Sequence, residues 1–201
     1  MRTLLLAITL AGIAVVPGWA SAATVKRAPG TAPGSASARK ETTVPLTLTS
    51  SAFEHLGGIP KRHTCDGEDV SPPLAWSGVP AGTRSFALIV DDPDAPDPAA
   101  PKMVWVHWVL YNLPPTALEL PEAVAPGALP AGTRQGKNDW KRTGYGGPCP
   151  PIGRHRYFFK LYALDAMLPD LKEPTKAQLE QAMKGHIVGE GQLLGTYQKS
   201  K

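Results

Sequence analysis

Cysteine, charge and aromatics are all scarce in this chain. Two cysteines among 201 residues exclude a disulfide-dense scaffold, and neither has the CxxC spacing of a redox or zinc site. Charged residues make up 19%, with a net charge of +4. The basic residues are scattered, with short clusters at Lys61-Arg62 and Arg154-His155-Arg156. No basic stripe with interleaved aromatics appears, so no nucleic-acid partner is expected. Internal repeats are lacking, and so is the Gly-x-Ser-x-Gly elbow of a serine hydrolase. The one long apolar run, Leu4 to Val16, is too short to span a bilayer comfortably.

That run has a use of its own. Met1-Arg2 precedes it and Ala20-Ser21-Ala22 follows, the pattern of a secretory signal with cleavage after Ala22. The reading is therefore residues 1–22 as signal peptide, a periplasmic or secreted location, and no integral membrane span after cleavage. Residues 23–43 are rich in Ala, Pro, Gly, Ser and Thr and are read as a flexible leader. Residues 44–201 have the size of one domain. In an oxidising compartment Cys65 and Cys149 have the makings of one disulfide. Two separate buried thiols is the competing reading, and spacing alone does not choose between them.

Proline (22) and glycine (20) are what the chain has in plenty, and they cut it into short apolar runs. Strand signals appear at Val44–Thr49, Ser85–Val90, Val104–Leu113, Tyr157–Leu164 and Gln192–Tyr197. One helix is indicated, with Thr175 and Gln178 as a capping box, Leu179, Ala182 and Met183 on one face, and Gly185 as its stop. The pattern predicts a mainly β, antiparallel domain with few helices.

The densest chemistry is Asp91-Asp92-Pro93-Asp94-Ala95-Pro96, where a buried strand ends in acid and proline. Alternation along the strand puts Asp92 on the face of Phe86, Leu88 and Val90 and turns Asp91 toward solvent. The same counting puts His107 with Trp105, Val109 and Tyr111, and His155 with Tyr157, Phe159 and Leu161. Taken singly, each of these groups reads as readily as core or turn structure. Two histidines and a carboxylate also compose a metal facial triad, so a metal-dependent enzyme is the alternative reading.

Several motifs occur together and in order. They are His63-Thr-Cys-Asp-Gly-Glu-Asp-Val-Ser-Pro-Pro-Leu74, Asp92-Pro-Asp-Ala-Pro96, Val106-His-Trp-Val109 and Gly136-Lys-Asn-Asp139. Gly144-Tyr-Gly-Gly-Pro-Cys-Pro-Pro151, His155-Arg-Tyr157 and Leu194-Gly-Thr-Tyr197 complete the set. From about residue 46 to Tyr197 the chain resembles the phosphatidylethanolamine-binding protein (PEBP) family, in its bacterial Raf-kinase-inhibitor-like branch. The resemblance implies a large antiparallel sheet, a second smaller sheet and peripheral helices. It also implies a pocket for small anions such as phosphate or phosphorylated head groups, and no cofactor.

Carried over by motif, Asp92, His107, His155 and Tyr157 are pocket residues, with Pro96, Pro148, Pro150 and Pro151 on the rim. Asp94 and Trp105 are expected to support it. Only three residues separate Pro151 from His155, shorter than is common in that branch, and Arg154 among them is expected to add positive charge at the rim. The family's inhibitors extend the expectation to a regulatory partner protein, such as an envelope protease. Neither resemblance nor residues supply a catalytic constellation, so binding without catalysis is expected.

Overall fold

A computed structural model describes residues 44–200, so the signal and leader readings lie outside the described residues. Among the described residues nine strands form two sheets. In chain order they are β1 (Val44–Pro45), β2 (Thr47–Thr49), β3 (Leu74–Ser77), β4 (Ser85–Asp92), β5 (Trp105–Leu113), β6 (Glu119–Leu120), β7 (Arg134–Gln135), β8 (Arg154–Leu164) and β9 (Ile187–Gln198). The large sheet runs β1-β9-β8-β4-β5-β7 and the small one β2-β3-β6. All pairings are antiparallel except β1 with β9, which is parallel. The expected architecture of a large and a smaller β-sheet is thus present, with a parallel edge added.

Position in the sheet explains the composition of the strands. β4 is buried along its whole length, because both of its faces are covered. Phe86, Leu88 and Val90 face Trp76, Leu74, Leu48 and Leu120 of the small sheet. Ala87 and Ile89 face Leu179 and Met183 of the single α-helix among the described residues, α1 (Lys176–Met183). The Thr175 capping box is formed: Gln178 N–H donates to Thr175 Oγ1 at 3.4 Å, and Thr175 N–H donates to Gln178 Oε1 at 2.8 Å. Gly185 takes a positive φ of 81° just past the helix, as a stop requires.

Three sequence expectations need correction. Val44–Thr49 is two strands in different sheets, separated at Leu46, whose N–H instead donates to the Glu190 carbonyl at 2.7 Å. Asp91 is not solvated. It is fully buried beneath α1, where its Oδ2 accepts from Lys160 Nζ at 2.8 Å and Lys176 Nζ at 2.5 Å. Both lysines come from distant segments, so alternation alone gave no sign of them.

The third correction concerns β5. Val90 pairs with Trp108 but Asp91 pairs with Val106, so His107 has no partner of its own and forms a bulge. A bulge resets the alternation. His107 therefore sits on the side of Trp108 and Leu110, while Val109 and Tyr111 face the helix. A second bulge falls between Leu110 and Leu113, where Asn112 adopts φ 57° and its side chain brackets Leu168 N–H and C=O at 2.9 and 2.8 Å.

Candidate functional site

The ends of β4, β5 and β8 meet at one margin of the large sheet and open on a cavity of about 390 Å³. Its floor is the buried Asp92, His107 and His155, and Trp105, Ala95, Pro96, Pro150 and Pro151 also line it. Met103, Trp140 and Cys149 complete the mouth. The three polar groups predicted from alternation and motif do converge.

His155 and Asp92 form a closed pair. Both are buried, and His155 Nδ1 lies 2.7 Å from Asp92 Oδ2. His155 Nε2 lies 3.0 Å from the Ile152 carbonyl. Both ring nitrogens thus face acceptors, which a doubly protonated ring satisfies together. The other carboxylate oxygen of Asp92 accepts the Asp94 N–H at 2.8 Å. Asp92 orients His155, one of the two histidines open to it on sequence grounds, and its charge is spent inside the wall.

His107 is placed differently. Its Nδ1–H donates to the Gly146 carbonyl at 2.6 Å, and the Gly146 N–H returns a bond to the His107 carbonyl at 3.1 Å. Its Nε2 is buried and has no hydrogen-bond partner within the protein. Burial pushes the His107 pKa down, against the smaller opposing effects of its bond to Gly146 and of the Asp92 charge. The neutral ring that results carries its one proton on Nδ1 and a free lone pair on Nε2.

Tyr157 does not line the cavity. It lies beneath it, 1% exposed, with its ring edge-on to His107 at 5.2 Å and stacked on His155 at 6.4 Å. Its Oη is a second buried polar atom without a partner, and burial raises its pKa. Pro148 likewise falls behind the rim: it is buried, and its carbonyl accepts from Cys65 N–H at 3.1 Å. Arg154 opens β8 as an exposed residue outside the cavity lining.

The supporting residues act as pins. Asp94 is buried and accepts three bonds from Arg156: the backbone N–H at 2.9 Å, Nε–H at 2.9 Å and Nη2–H at 2.6 Å. The hydrogen-bonded Arg156 side chain holds the Asp94 carboxyl below its usual pKa, and the acidic turn is tied to β8. Cys65 and Cys149 are joined in a disulfide, with Cα atoms 5.4 Å apart, which fixes the far rim.

Sequence reasoning missed Trp140 and Met103. Trp140 stands edge-on to both His107, at 5.2 Å, and Trp105, at 5.4 Å. It is held because Val106 and Asp139 exchange two bonds, 2.8 Å to the Asp139 side chain and 3.0 Å between backbones. A Cβ on Gly146 would sit 2.5 Å from the Trp140 ring, so the glycine there is a packing requirement. The Asn138-Asp139 pair within a motif was the only available signal for this wall.

The metal alternative finds little support in these contacts. Both His155 nitrogens are engaged, which leaves His107 Nε2 as the one ring nitrogen free at the cavity floor. Among the described residues, no three His, Cys, Asp or Glu side chains gather as a metal site would need.

Comparison with known proteins adds an independent line. The sequence model for phosphatidylethanolamine-binding proteins matches residues 49–198. A UPF0098 protein of Methanothermobacter thermautotrophicus is 50% identical over 155 residues, covering 77% of this chain and 99% of its own. The crystal structure of a PEBP homologue from Chlamydia trachomatis shares 43% identity and a TM-score of 0.70, over 78% of this chain and 99% of that one. YbcL of E. coli, described as a member of the mammalian PEBP family, shares 32% identity and a TM-score of 0.70, over 78% of this chain and all of its own.

Proposed function

The chain belongs to the phosphatidylethanolamine-binding protein family, and from that premise we propose that it binds a small anion, phosphate or a phosphorylated head group, without transforming it. The observation that carries this reading is His107 Nε2, a buried nitrogen with no protein partner on the floor of a 390 Å³ cavity. A buried polar atom left unpaired costs about 1–3 kcal/mol, so its retention beside a cavity fits a ligand that completes it. The Asp92 carboxylate does not oppose an anion there, because His155 already occupies it.

Neutral His107 has no Nε2 proton to donate. An anion beside it favours the charged ring, so binding takes up one proton, on the imidazole or as the P–OH form of the ligand. Affinity accordingly falls as pH rises, by up to about tenfold per unit where the linkage is complete. The setting is extracytoplasmic: the disulfide and the signal-like N-terminus support it together. Exposed Met103, Trp140 and Ile152 around the mouth supply apolar surface through which an occupied pocket acts on a regulatory partner.

Calorimetry with inorganic phosphate between pH 5 and 8, in buffers of differing ionisation heat, tests the proposal. Saturable binding that weakens with pH and takes up a proton is the expected result. No binding, or binding indifferent to pH, contradicts it.

A further inference from the structure

We propose a second ligand site, lined in part by Gly144 and Tyr145 and sharing no lining residue with the His107 pocket, that takes a small monocarboxylate with an apolar body. Its centre is Trp108. The bulge that sets His107 beside Trp108 leaves the indole in the main core, 2% exposed. Trp108 nevertheless lines a separate cavity of about 230 Å³, and its Nε1 has no hydrogen-bond partner within the protein. An indole N–H only donates, so whatever completes it must be an acceptor.

The rest of the cavity narrows the chemistry. Val124, Pro126 and Leu129 form an apolar wall. Arg142 lies at the cavity with a half-exposed side chain, and its Asp69 partner is 4.0 Å away. Asp69 is already committed through Oδ1 to the Gly147 N–H at 2.6 Å. The guanidinium therefore has donors to spare for a carboxylate that also accepts from Trp108. Asp69 at the same cavity penalises a dianion, which separates this site's preference from that of the phosphate pocket.

Space continues beyond it. An adjoining cavity of about 420 Å³ shares Pro126, Leu129, Gln135 and Thr143, and is also lined by Thr133, whose Oγ1 is another buried atom without a partner. Arg134, Lys172, Asp170 and Glu173 make that adjoining space the more polar of the two, so the apolar body of the ligand belongs against Val124, Pro126 and Leu129. Tyr145 contributes only its ring, edge-on to Trp108 at 5.7 Å, because its hydroxyl donates to the His63 carbonyl at 3.0 Å.

The test uses the chain from residue 23 onward, as signal cleavage leaves it, and the indole N–H resonances of Trp76, Trp105, Trp108 and Trp140. Trp108→Phe identifies the Trp108 signal, and phenylacetate is the probe, with inorganic phosphate titrated in parallel. Phenylacetate is expected to move the Trp108 indole signal saturably while phosphate does not. Arg142→Gln, a half-exposed change that leaves the core intact, is expected to weaken phenylacetate about tenfold. An unmoved Trp108 signal, or equal affinity in Arg142→Gln, overturns the second site. Arg142 also lies over Trp140 of the first pocket, 5.9 Å from the ring centre, so phosphate is titrated in Arg142→Gln as well, and unchanged phosphate affinity there keeps the failure of one site distinguishable from that of the other.

Discussion

Replacing Asp92 with alanine and with asparagine separates hydrogen-bond completion from mere space filling at the pocket floor. Asp92 and His155 are 3% and 0% exposed, and Asp92 holds two partners, His155 Nδ1 at 2.7 Å and Asp94 N–H at 2.8 Å. Alanine removes both acceptors and strands a buried imidazole and a buried N–H. Breaking a buried pair from one side costs about 3–5 kcal/mol. Asparagine restores the set by a different proton arrangement. Its Oδ1 keeps the Asp94 N–H, its Nδ2 donates to Nδ1 of a neutral ring, and Nε2–H keeps the Ile152 carbonyl. That exchange costs about 1 kcal/mol. Urea unfolding at pH 7 reads the difference of about 2–4 kcal/mol, a midpoint gap of about 1–2 M at a slope near 2 kcal/mol/M. Equal losses in the two variants would refute the reasoning, since the charge or the volume would then set the cost.

Two further outcomes follow from the same contacts. His107 has a folded pKa below its ordinary value because it is buried, so the unfolded chain takes up that proton first. Stability should therefore fall as pH drops from about 6.5 toward the lower folded value and level off beneath it. His107→Gln should flatten that stretch of the stability curve, and an unchanged slope would count against a neutral buried ring. The Cys65–Cys149 disulfide closes a separation of 84 residues, for which chain entropy gives about 4.5 kcal/mol. Reduction should lower the unfolding free energy by up to that amount, and an unmoved midpoint would show that the rim is held by other contacts.

Much of the site was legible because β4 and β8 alternate without interruption near it. Asp92 continues the row of Phe86, Leu88 and Val90, and His155 that of Tyr157 and Phe159, as counting by two requires. β5 broke the rule at His107. A bulge is set by how two strands twist and end against each other, and nothing in Trp105-Val-His-Trp108 announces the extra residue. His107 was placed at the pocket by motif; counting by two rightly joined it to Trp105, which lines the same cavity, and wrongly to Val109 and Tyr111 beyond the bulge. Asp91 failed for another reason: its two lysines come from β8 and α1, and a single strand's pattern carries no information about charges packed over it. Trp140 arrives on a loop pinned by Asp139 to β5, a contact 33 residues apart in sequence that no local periodicity encodes. Short strands such as β6 and β7 gave no signal in the sequence, because two residues are too few to show alternation.

The proposed function turns on a bound anion completing His107 Nε2. Nitrogen-resolved spectra of the His107 imidazole during a phosphate titration near pH 6 test it most directly. Phosphate should shift Nε2 saturably, move the ring toward its charged form, and lose affinity in His107→Gln. An Nε2 signal indifferent to phosphate, or undiminished binding in His107→Gln, would contradict it.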